Sequence, residues 1–321
     1  MATVYLHIGY PKSFSTTLQR SYFEKHPKLH FGGVGIGNNI SYANDSLELG
    51  FESLLKYANE HYWFKERNKV KQAIQNFISE AGSRKVVFSS EHFATKFTLQ
   101  GISNEEKYDR IKYLTGEHRI KILVIKRKPV SFVRSMYGEY VKMGYDKAYP
   151  EFLKWIITFQ DRNFLPDLNF KMKEDQLNSF FGSDNVDWLD FDSIKDKGVE
   201  KILNEKLTDW FDIDYHHMPI TNDNPSLNLQ EIASLVEWNK ENPRGLGKDQ
   251  TEPFARHRSR LIHVKSRIDY AEEEIFSEVL AKRKGLKWLE HKEKNRKINF
   301  DAATDLENQL LEEISSYSYA F

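Results

Sequence analysis

The residues Val4–Gln19, which read VYLHIGYPKSFSTTLQ, decide the fold of this chain. An apolar run over Val4–Ile8 predicts a buried β-strand, and Gly9 and Pro11 end it. The hydroxyl-rich segment that follows predicts the start of a helix. The first N–H groups of a helix lack intrahelical partners and carry partial positive charge, so a strand, a tight loop and a helix start together bind anions. The sequence therefore predicts a phosphate or sulfate site here.

The side chains of this loop narrow the choice of anion. Lys12 adds a full positive charge, and hydroxyl donors are supplied by Ser13, Ser15, Thr16 and Thr17. A Walker A loop has a glycine, four further residues and then Gly-Lys-Ser/Thr. Here Gly9 stands only three positions before Lys12, and the residue directly before the lysine is Pro11. The pattern therefore argues against a nucleotide triphosphatase.

The segment Pro11–Gln19 instead resembles the 5′-phosphosulfate loop of the sulfotransferases that use 3′-phosphoadenosine 5′-phosphosulfate (PAPS). That loop typically reads Pro-Lys-Ser/Thr-Gly-Thr-Thr, often followed by Leu-Gln. The matching residues are Pro11, Lys12, Ser13, Thr16, Thr17, Leu18 and Gln19. Phe14 stands where the family usually has glycine, the residue that permits positive φ and close backbone approach. We expect the loop to take a conformation that a bulky residue tolerates, with the ring over the nucleotide or against the sheet.

A second motif supports the same resemblance. Residues Ile120–Arg127 predict a central strand, and their continuous apolar run suits a parallel sheet covered on both faces. Pro129 is well placed to begin a helix. The family holds the 3′-phosphate with an Arg at a strand end and a Ser on the next helix, and Ser135 lies eight positions after Arg127. A fixed cation and a hydroxyl together favour a terminal phosphate over a bare ribose.

A third segment supplies candidate chemistry. Residues Lys85–Phe93 predict a strand that ends in polar residues, and ligands of open α/β sheets bind outside the carboxyl ends of the strands. Family members place either Ser-Glu or a histidine at this strand end. The sequence offers Glu91 and His92, which cannot both point into one cleft if the strand geometry continues. We favour Glu91 as the general base and keep His92 as the alternative.

The resemblance implies an in-line transfer. An acceptor hydroxyl or amine attacks the sulfur of PAPS, and 3′-phosphoadenosine 5′-phosphate (PAP) leaves. Lys12 neutralises the bridging oxygen, Ser13 and the loop N–H groups hold the sulfonyl oxygens, and Thr16 and Thr17 fix the 5′-phosphate. No metal is expected. The residues implied to bind the nucleotide are Pro11, Lys12, Ser13, Phe14, Ser15, Thr16, Thr17, Arg127 and Ser135.

The expected fold is α/β, a three-layer α/β/α arrangement around a mostly parallel sheet, as in P-loop-like sulfotransferases. We predict one domain over residues 1–321, with an α/β core at 1–215 and a helical C-terminal region at 216–321. The resemblance covers roughly residues 3–215. Further helices are predicted at Tyr42–Ala81, Phe170–Phe181, Val199–Phe211 and Leu261–Lys284, and a further strand at Val186–Phe191.

Composition excludes several classes of protein. The chain has 47 basic and 47 acidic residues, which argues against a nucleic-acid binder. It has no cysteine, hence no disulfide or thiolate zinc site, and no apolar run of about 20 residues that would span a membrane. Because the first strand begins almost at once, we expect no signal peptide or anchor and a soluble, cytoplasmic enzyme. The segment Arg244–Arg267 has a local excess of basic residues. It is either a solvated helix face or a lid or wall that contacts the adenine and 3′-phosphate of the nucleotide or an anionic acceptor.

The acceptor and two other functions stay open. A carbohydrate or glycoconjugate hydroxyl is the first choice, because the Ser-Glu pair resembles carbohydrate-type members; a small phenol, lipid or polyketide hydroxyl is the second. The oligomeric state is not predicted. One alternative is a PAP-binding protein that has lost activity, because Phe14 replaces the usual glycine of the loop. The other is a kinase-like phosphotransferase that holds magnesium with Asp190 or Asp192.

Overall fold

The computed structural model of the chain describes residues 2–10, 13–33, 42–55, 60–93, 102–142, 144–160, 163–194, 198–220, 227–241 and 300–317. The chain divides into two compact units. The first comprises Met1–Lys128, Asp167–Asn224 and Ser318–Phe321, and the second comprises Pro129–Pro166 and Pro225–Tyr317. The helices Pro129–Lys142 and Tyr149–Thr158 therefore belong to the second unit.

The first unit is built on a parallel sheet. Its strands are β1 (Thr3–Gly9), β2 (Leu29–Phe31), β3 (Lys85–Ser89), β4 (Arg119–Lys126) and β5 (Val186–Asp190). Their order is β2-β3-β1-β4-β5, and every neighbouring pair is parallel. The central strand β1 is paired on both edges, and its residues Val4–Gly9 are buried. Its nearly unbroken apolar sequence is typical of a parallel strand whose two faces are both covered.

Helices follow each strand. Those of the first unit are α1 (Ser15–Leu18, continued as a π-helix over Gln19–Phe23), α2 (Asp45–Glu48, continued over Leu49–Leu54), α3 (Glu60–Glu80), α4 (Asn104–Thr115), α7 (Phe170–Phe181), α8 (Phe191–Ile194) and α9 (Val199–Phe211). Those of the second unit are α5 (Pro129–Lys142), α6 (Tyr149–Thr158), α10 (Leu229–Glu241) and α11 (Thr304–Ser316). Single 3₁₀ turns lie at Glu91–Phe93, Leu165–Leu168, Ser183–Asn185 and Asp301–Ala303.

Successive side chains of a strand point to opposite faces of the sheet. Each face packs against its own set of helices. On one face Tyr5 of β1 and its cross-strand neighbours share a buried cluster with α1 and α9; its members include Leu18, Phe23, Val87, Leu123, Leu207 and Phe211. On the other face Phe88 of β3 contacts Phe77 of α3, and Trp188 of β5 contacts Phe170 of α7. The unit thus has three layers, and the predicted α/β fold class is confirmed.

Most predicted elements are confirmed, with two differences of note. The helices at Phe170–Phe181 and Val199–Phe211 have the predicted bounds. The edge strand β2 was not predicted, since its three residues are too few for a periodic pattern. The strand predicted over Lys85–Phe93 ends at Ser89. The basic segment Arg244–Arg267 and the helix predicted at Leu261–Lys284 lie outside the described residues.

No helix within the described ranges is long and apolar enough to cross a membrane.

Candidate functional site

The sheet topology identifies one crevice. After β1 the chain continues to β2 and β3 on one side of β1, whereas after β4 it continues to β5 on the other side. Ligands of open α/β sheets bind at the carboxyl ends of the strands where the direction of the connections reverses. The segments after β1 and β4 flank this position, and Gly9 lies opposite Ile125 in the register. Both predicted anion-binding motifs therefore begin at the same edge of the sheet.

Phe14, in the segment that leads from β1 into α1, has a backbone conformation that favours glycine. Phe14 has φ 74° and ψ 9°, which is the left-handed conformation. Bulky L-residues avoid this region because Cβ crowds the carbonyl oxygen that follows. Our expectation that the loop would adopt a conformation suited to a bulky residue is therefore wrong. Instead, Phe14 adopts a conformation that glycine tolerates far better than phenylalanine does.

Contacts of the aromatic ring hold Phe14 in place. Its ring stacks on the ring of Phe191, with centroids 5.3 Å apart and an interplanar angle of 23°. Both residues pack against the buried cluster on the α1 and α9 side of the sheet. Of the two positions that we considered for the ring, it takes the one against the protein interior. Such a stack contributes roughly 0.5–1.5 kcal/mol beyond the buried area, which is comparable to the cost of the backbone conformation.

The start of α1 lies directly over the end of β1. A Cβ atom on Gly9 would collide with the Oγ of Ser15, so this approach requires glycine. Ser13 is fully buried, and both its N–H and its hydroxyl donate to the carbonyl oxygen of Tyr10. The first intrahelical bond runs from the Leu18 N–H to the Phe14 carbonyl oxygen, at 3.1 Å. The N–H groups of Ser15, Thr16 and Thr17 therefore belong to the first turn of α1, the part of a helix that interacts with anions.

The remaining loop residues differ in exposure. Ser15 and Thr17 are buried, and the Ser15 hydroxyl makes no hydrogen bond within the described residues. Thr16 is half-buried. Pro11 and Lys12 lie outside the described residues, so their predicted roles stay predictions.

A buried polar cluster that the sequence did not predict lies beneath the loop. His7 of β1 is fully buried, and its Nδ1 lies 2.7 Å from the Ser89 Oγ. Gln19 of the π-helix donates from Nε2 to the same oxygen at 2.8 Å. Burial lowers the pKa of His7 to about 3, so the imidazole is neutral at neutral pH. The sequence does contain one indication of this cluster. A histidine between Leu6 and Ile8 in a buried strand needs a polar partner.

A second buried network anchors the other side of the loop. The Tyr10 hydroxyl donates to the carbonyl oxygen of Asp167 at 2.7 Å. The Asp167 carboxylate accepts from the Lys173 ammonium at 2.9 Å and from the Asn104 amide at 2.8 Å. Burial opposes the charge of Lys173, yet the adjacent carboxylate raises the pKa of the ammonium above its usual value. These contacts fix the residue that directly precedes the predicted anion-binding turn.

The end of β3 carries the predicted base. His7 lies opposite Ser89 in the register, and the Ser90 N–H donates to the His7 carbonyl oxygen at 3.2 Å. A 3₁₀ turn at Glu91–Phe93 follows, so the strand geometry does not continue as we assumed. Glu91 is half-buried. The side chain of His92 lies outside what the structure describes, and the choice between Glu91 and His92 stays open.

Arg127 follows β4 and has an acidic neighbour. Its Nε lies 3.7 Å from the Asp192 Oδ1, and the two side chains are 19% and 3% exposed. The Asp192 Oδ2 also accepts from the Lys128 N–H at 2.6 Å. Asp190, the other candidate magnesium ligand, accepts from the Asp192 N–H at 3.0 Å. The two carboxylates thus already have protein partners. Within the described ranges, no group of three or more metal-ligating side chains occurs.

Ser135 belongs to the second unit. It lies on α5, and its hydroxyl is buried and makes no hydrogen bond within the described residues. The neighbouring Arg134 makes two 2.7 Å hydrogen bonds to the carboxylate of Glu307 on α11, which also accepts from the Tyr149 hydroxyl at 2.8 Å. This cluster fixes α5 within its own unit. The pairing of Ser135 with Arg127 stays a prediction from their spacing.

No protein-family model matches the chain, and no curated protein sequence matches it. Among solved structures, it is similar to a sulfotransferase from Alicyclobacillus acidocaldarius, with 13% identity over 73% of this chain and 94% of that chain and a TM-score of 0.47. It is also similar to mouse sulfotransferase SULT7A1 complexed with PAP, with 14% identity over 96% of this chain and 88% of that chain and a TM-score of 0.36.

Both matched structures are sulfotransferases, the family that the sequence resembles.

Proposed function

We propose that this chain is a sulfotransferase that moves the sulfonyl group of PAPS to an acceptor hydroxyl. The observation that carries the proposal is the left-handed backbone of Phe14. A phenylalanine in this conformation is costly, and such strain persists at sites where function requires the backbone shape. Glycine, the residue usual at this place in the family that the sequence resembles, adopts such a conformation without steric cost. The retention of this conformation by a bulky residue supports an anion-binding role for the segment that leads into α1.

The placement of the other candidate groups supports the proposal. Glu91 follows β3 and Arg127 follows β4, which are the two strands that flank β1. Neighbouring strands are about 4.8 Å apart, so the backbones at these strand ends are within reach of one nucleotide. The candidate base, the candidate anion-binding loop and the candidate phosphate-binding cation thus follow the carboxyl ends of three adjacent strands, β3, β1 and β4.

The proposed reaction is a single in-line displacement. The acceptor oxygen forms a bond to sulfur, the bond from sulfur to the bridging oxygen breaks, and PAP leaves with that electron pair. The proton of the acceptor hydroxyl moves to the carboxylate of Glu91, a contribution typically worth 10²–10⁴-fold in rate. Lys12 and the N–H groups at the start of α1 stabilise the negative charge that develops on the bridging oxygen. Thr16 and Thr17 hold the 5′-phosphate.

The nucleotide is proposed to be selected by its 3′-phosphate. Arg127 supplies a cation of permanent charge whose planar geometry matches phosphate oxygens. Ser135 adds a hydroxyl, as predicted from its spacing. Removing either interaction weakens the discrimination between PAP and adenosine diphosphate (ADP), because ADP lacks the 3′-phosphate.

The acceptor is proposed to be a carbohydrate or glycoconjugate hydroxyl. The support is the Ser90-Glu91 pair after β3, which resembles carbohydrate-type members of the family. A phenol, lipid or polyketide hydroxyl is the competing acceptor class. Because acceptor pockets vary within one fold, a direct screen is needed to decide between them.

Transfer of ³⁵S from labelled PAPS to a panel of sugars, phenols and lipids tests the proposal. Lys12→Ala should abolish transfer, whereas Lys25→Ala, which removes the same charge at an exposed position, should leave it unchanged. Glu91→Gln should slow transfer by about 10²–10⁴-fold with little change in PAP affinity. Normal turnover of Glu91→Gln would assign the base to His92. PAP binding without transfer to any acceptor would indicate a protein that has lost activity.

A further inference from the structure

A short segment at the end of β5 contacts both proposed anion-binding elements. It consists of Asp190, the last residue of β5, and the four-residue helix α8 (Phe191–Ile194) that follows. The segment is held by its own hydrogen bonds, since the Asp190 Oδ1 accepts from the Asp192 N–H and the Asp190 carbonyl oxygen accepts from the Ser193 hydroxyl at 2.7 Å. A turn closed in this way keeps the adjacent side chains in fixed directions.

Asp192 of this segment faces Arg127. The carboxylate is 97% buried, since its side chain is only 3% exposed, and it lies 3.7 Å from the Nε edge of the guanidinium. Its second oxygen accepts from the N–H of Lys128, the residue next to the arginine. Asp192 therefore contacts both the side chain of Arg127 and the backbone that carries it. The 3.7 Å separation is longer than a hydrogen bond, so this contact is an ion pair.

A carboxylate beside a phosphate-binding arginine has two opposite effects. It lowers the local positive potential, which weakens anion binding. It also holds a flexible side chain in place before the ligand arrives, which lowers the entropy lost on binding. The carboxylate is almost completely buried, and it accepts a hydrogen bond from the Lys128 N–H. A carboxylate that only reduced the positive potential near Arg127 would need neither the burial nor this bond, so both observations favour the ordering effect.

We propose that Asp192 is a positioning residue that orients Arg127 for the 3′-phosphate of the nucleotide. The proposal rests on the proposed function, since it assumes that Arg127 binds this phosphate. Phe191, the preceding residue, stacks on Phe14 of the loop that holds the 5′-phosphate. The segment therefore supports both ends of the nucleotide site, with Asp192 acting on the 3′ end and Phe191 on the 5′ end.

Isothermal titration of the full chain with PAP and with ADP separates these roles. Asp192→Asn keeps an acceptor for the Lys128 N–H and removes the charge. Its Kd for PAP should rise about three- to tenfold, the cost of ordering one arginine side chain, while its Kd for ADP stays unchanged. Asp187→Asn, an equal change of charge at an exposed position of β5, should alter neither Kd. Phe191→Ala should raise both Kd values by the same factor, because both ligands carry the 5′-phosphate.

The Arg127→Ala background shows whether Asp192 acts through the arginine. There, adding Asp192→Asn should change the Kd for PAP no further. An unchanged or lower Kd for PAP in Asp192→Asn alone would overturn the proposal, and so would an equal rise for PAP and ADP. A failure of the proposed function is visible separately, because the unmodified chain would then bind PAP no better than ADP, and the role of Asp192 would fall with it.

Discussion

Replacing Phe14 by glycine and, separately, by alanine isolates the cost of its left-handed backbone. Both variants lose the same ring and the same stack on Phe191. They differ in one Cβ atom, at a position where φ is 74°. The difference in stability between them therefore reports on the backbone conformation rather than on the packing of the ring.

The expected difference follows from two opposing contributions. A Cβ in the left-handed region costs the folded state about 1–2 kcal/mol. Alanine recovers about 0.4–1 kcal/mol, because its unfolded chain has less conformational freedom than that of glycine. Phe14→Gly should therefore have a free energy of unfolding about 1 kcal/mol higher than that of Phe14→Ala. Urea denaturation followed by circular dichroism measures the difference, with equal m-values as the check on two-state behaviour.

Phe64 provides the matched control. It lies within α3 and its side chain is 57% exposed, so its backbone is helical and its ring is little packed. There the order should reverse, with Phe64→Gly less stable than Phe64→Ala by roughly 0.5–1 kcal/mol. If Phe14→Ala were as stable as Phe14→Gly, or more so, Phe14 would not have the left-handed conformation, and the argument for a retained anion-binding loop would fail.

Two further predictions concern the buried networks around the loop. The pKa of His7 is lowered to about 3 in the fold, so on acidification the unfolded chain binds a proton at this residue before the folded chain does. Between pH 6.5 and about 3 the free energy of unfolding should therefore fall by roughly 1.4 kcal/mol per pH unit. His7→Asn should lose this part of the pH dependence in urea titrations. Asp167→Asn should leave the Lys173 ammonium buried without its counter-charge and lower the free energy of unfolding by roughly 3–5 kcal/mol. Adding Lys173→Met to Asp167→Asn should recover much of this loss, and no recovery in the same denaturation assay would contradict the assignment of the cost to the buried charge.

The layered architecture could be predicted from the sequence because its signals are local. The apolar runs of β1 and β4 and the turn residues after them define buried parallel strands. The helix Val199–Phe211 could be placed at its observed bounds because its apolar residues recur with helical spacing. Each of these signals lies within about a dozen consecutive residues.

The contacts between distant residues could not be predicted in this way. Asp192 meets Arg127 across 65 positions of sequence, and Asp167 meets Tyr10 across 157. Nothing in a pattern of residue types indicates such a pairing before the strand order is known. The conformation of Phe14 was missed for a different reason. Local preference argues against positive φ for phenylalanine, and it is overridden here by the loop around it and by the stack on Phe191.

Calorimetric titration of the full chain with PAP, ADP and ATP–magnesium tests the central claim most directly. Because a charged hydrogen bond contributes about 1.5–3 kcal/mol, PAP should bind without metal about ten- to hundredfold more tightly than ADP. Binding of ATP–magnesium without binding of PAP would contradict the account and indicate a phosphotransferase. Absence of binding by all three nucleotides would contradict it as well, since it would mean that Phe14 closes the loop to phosphates.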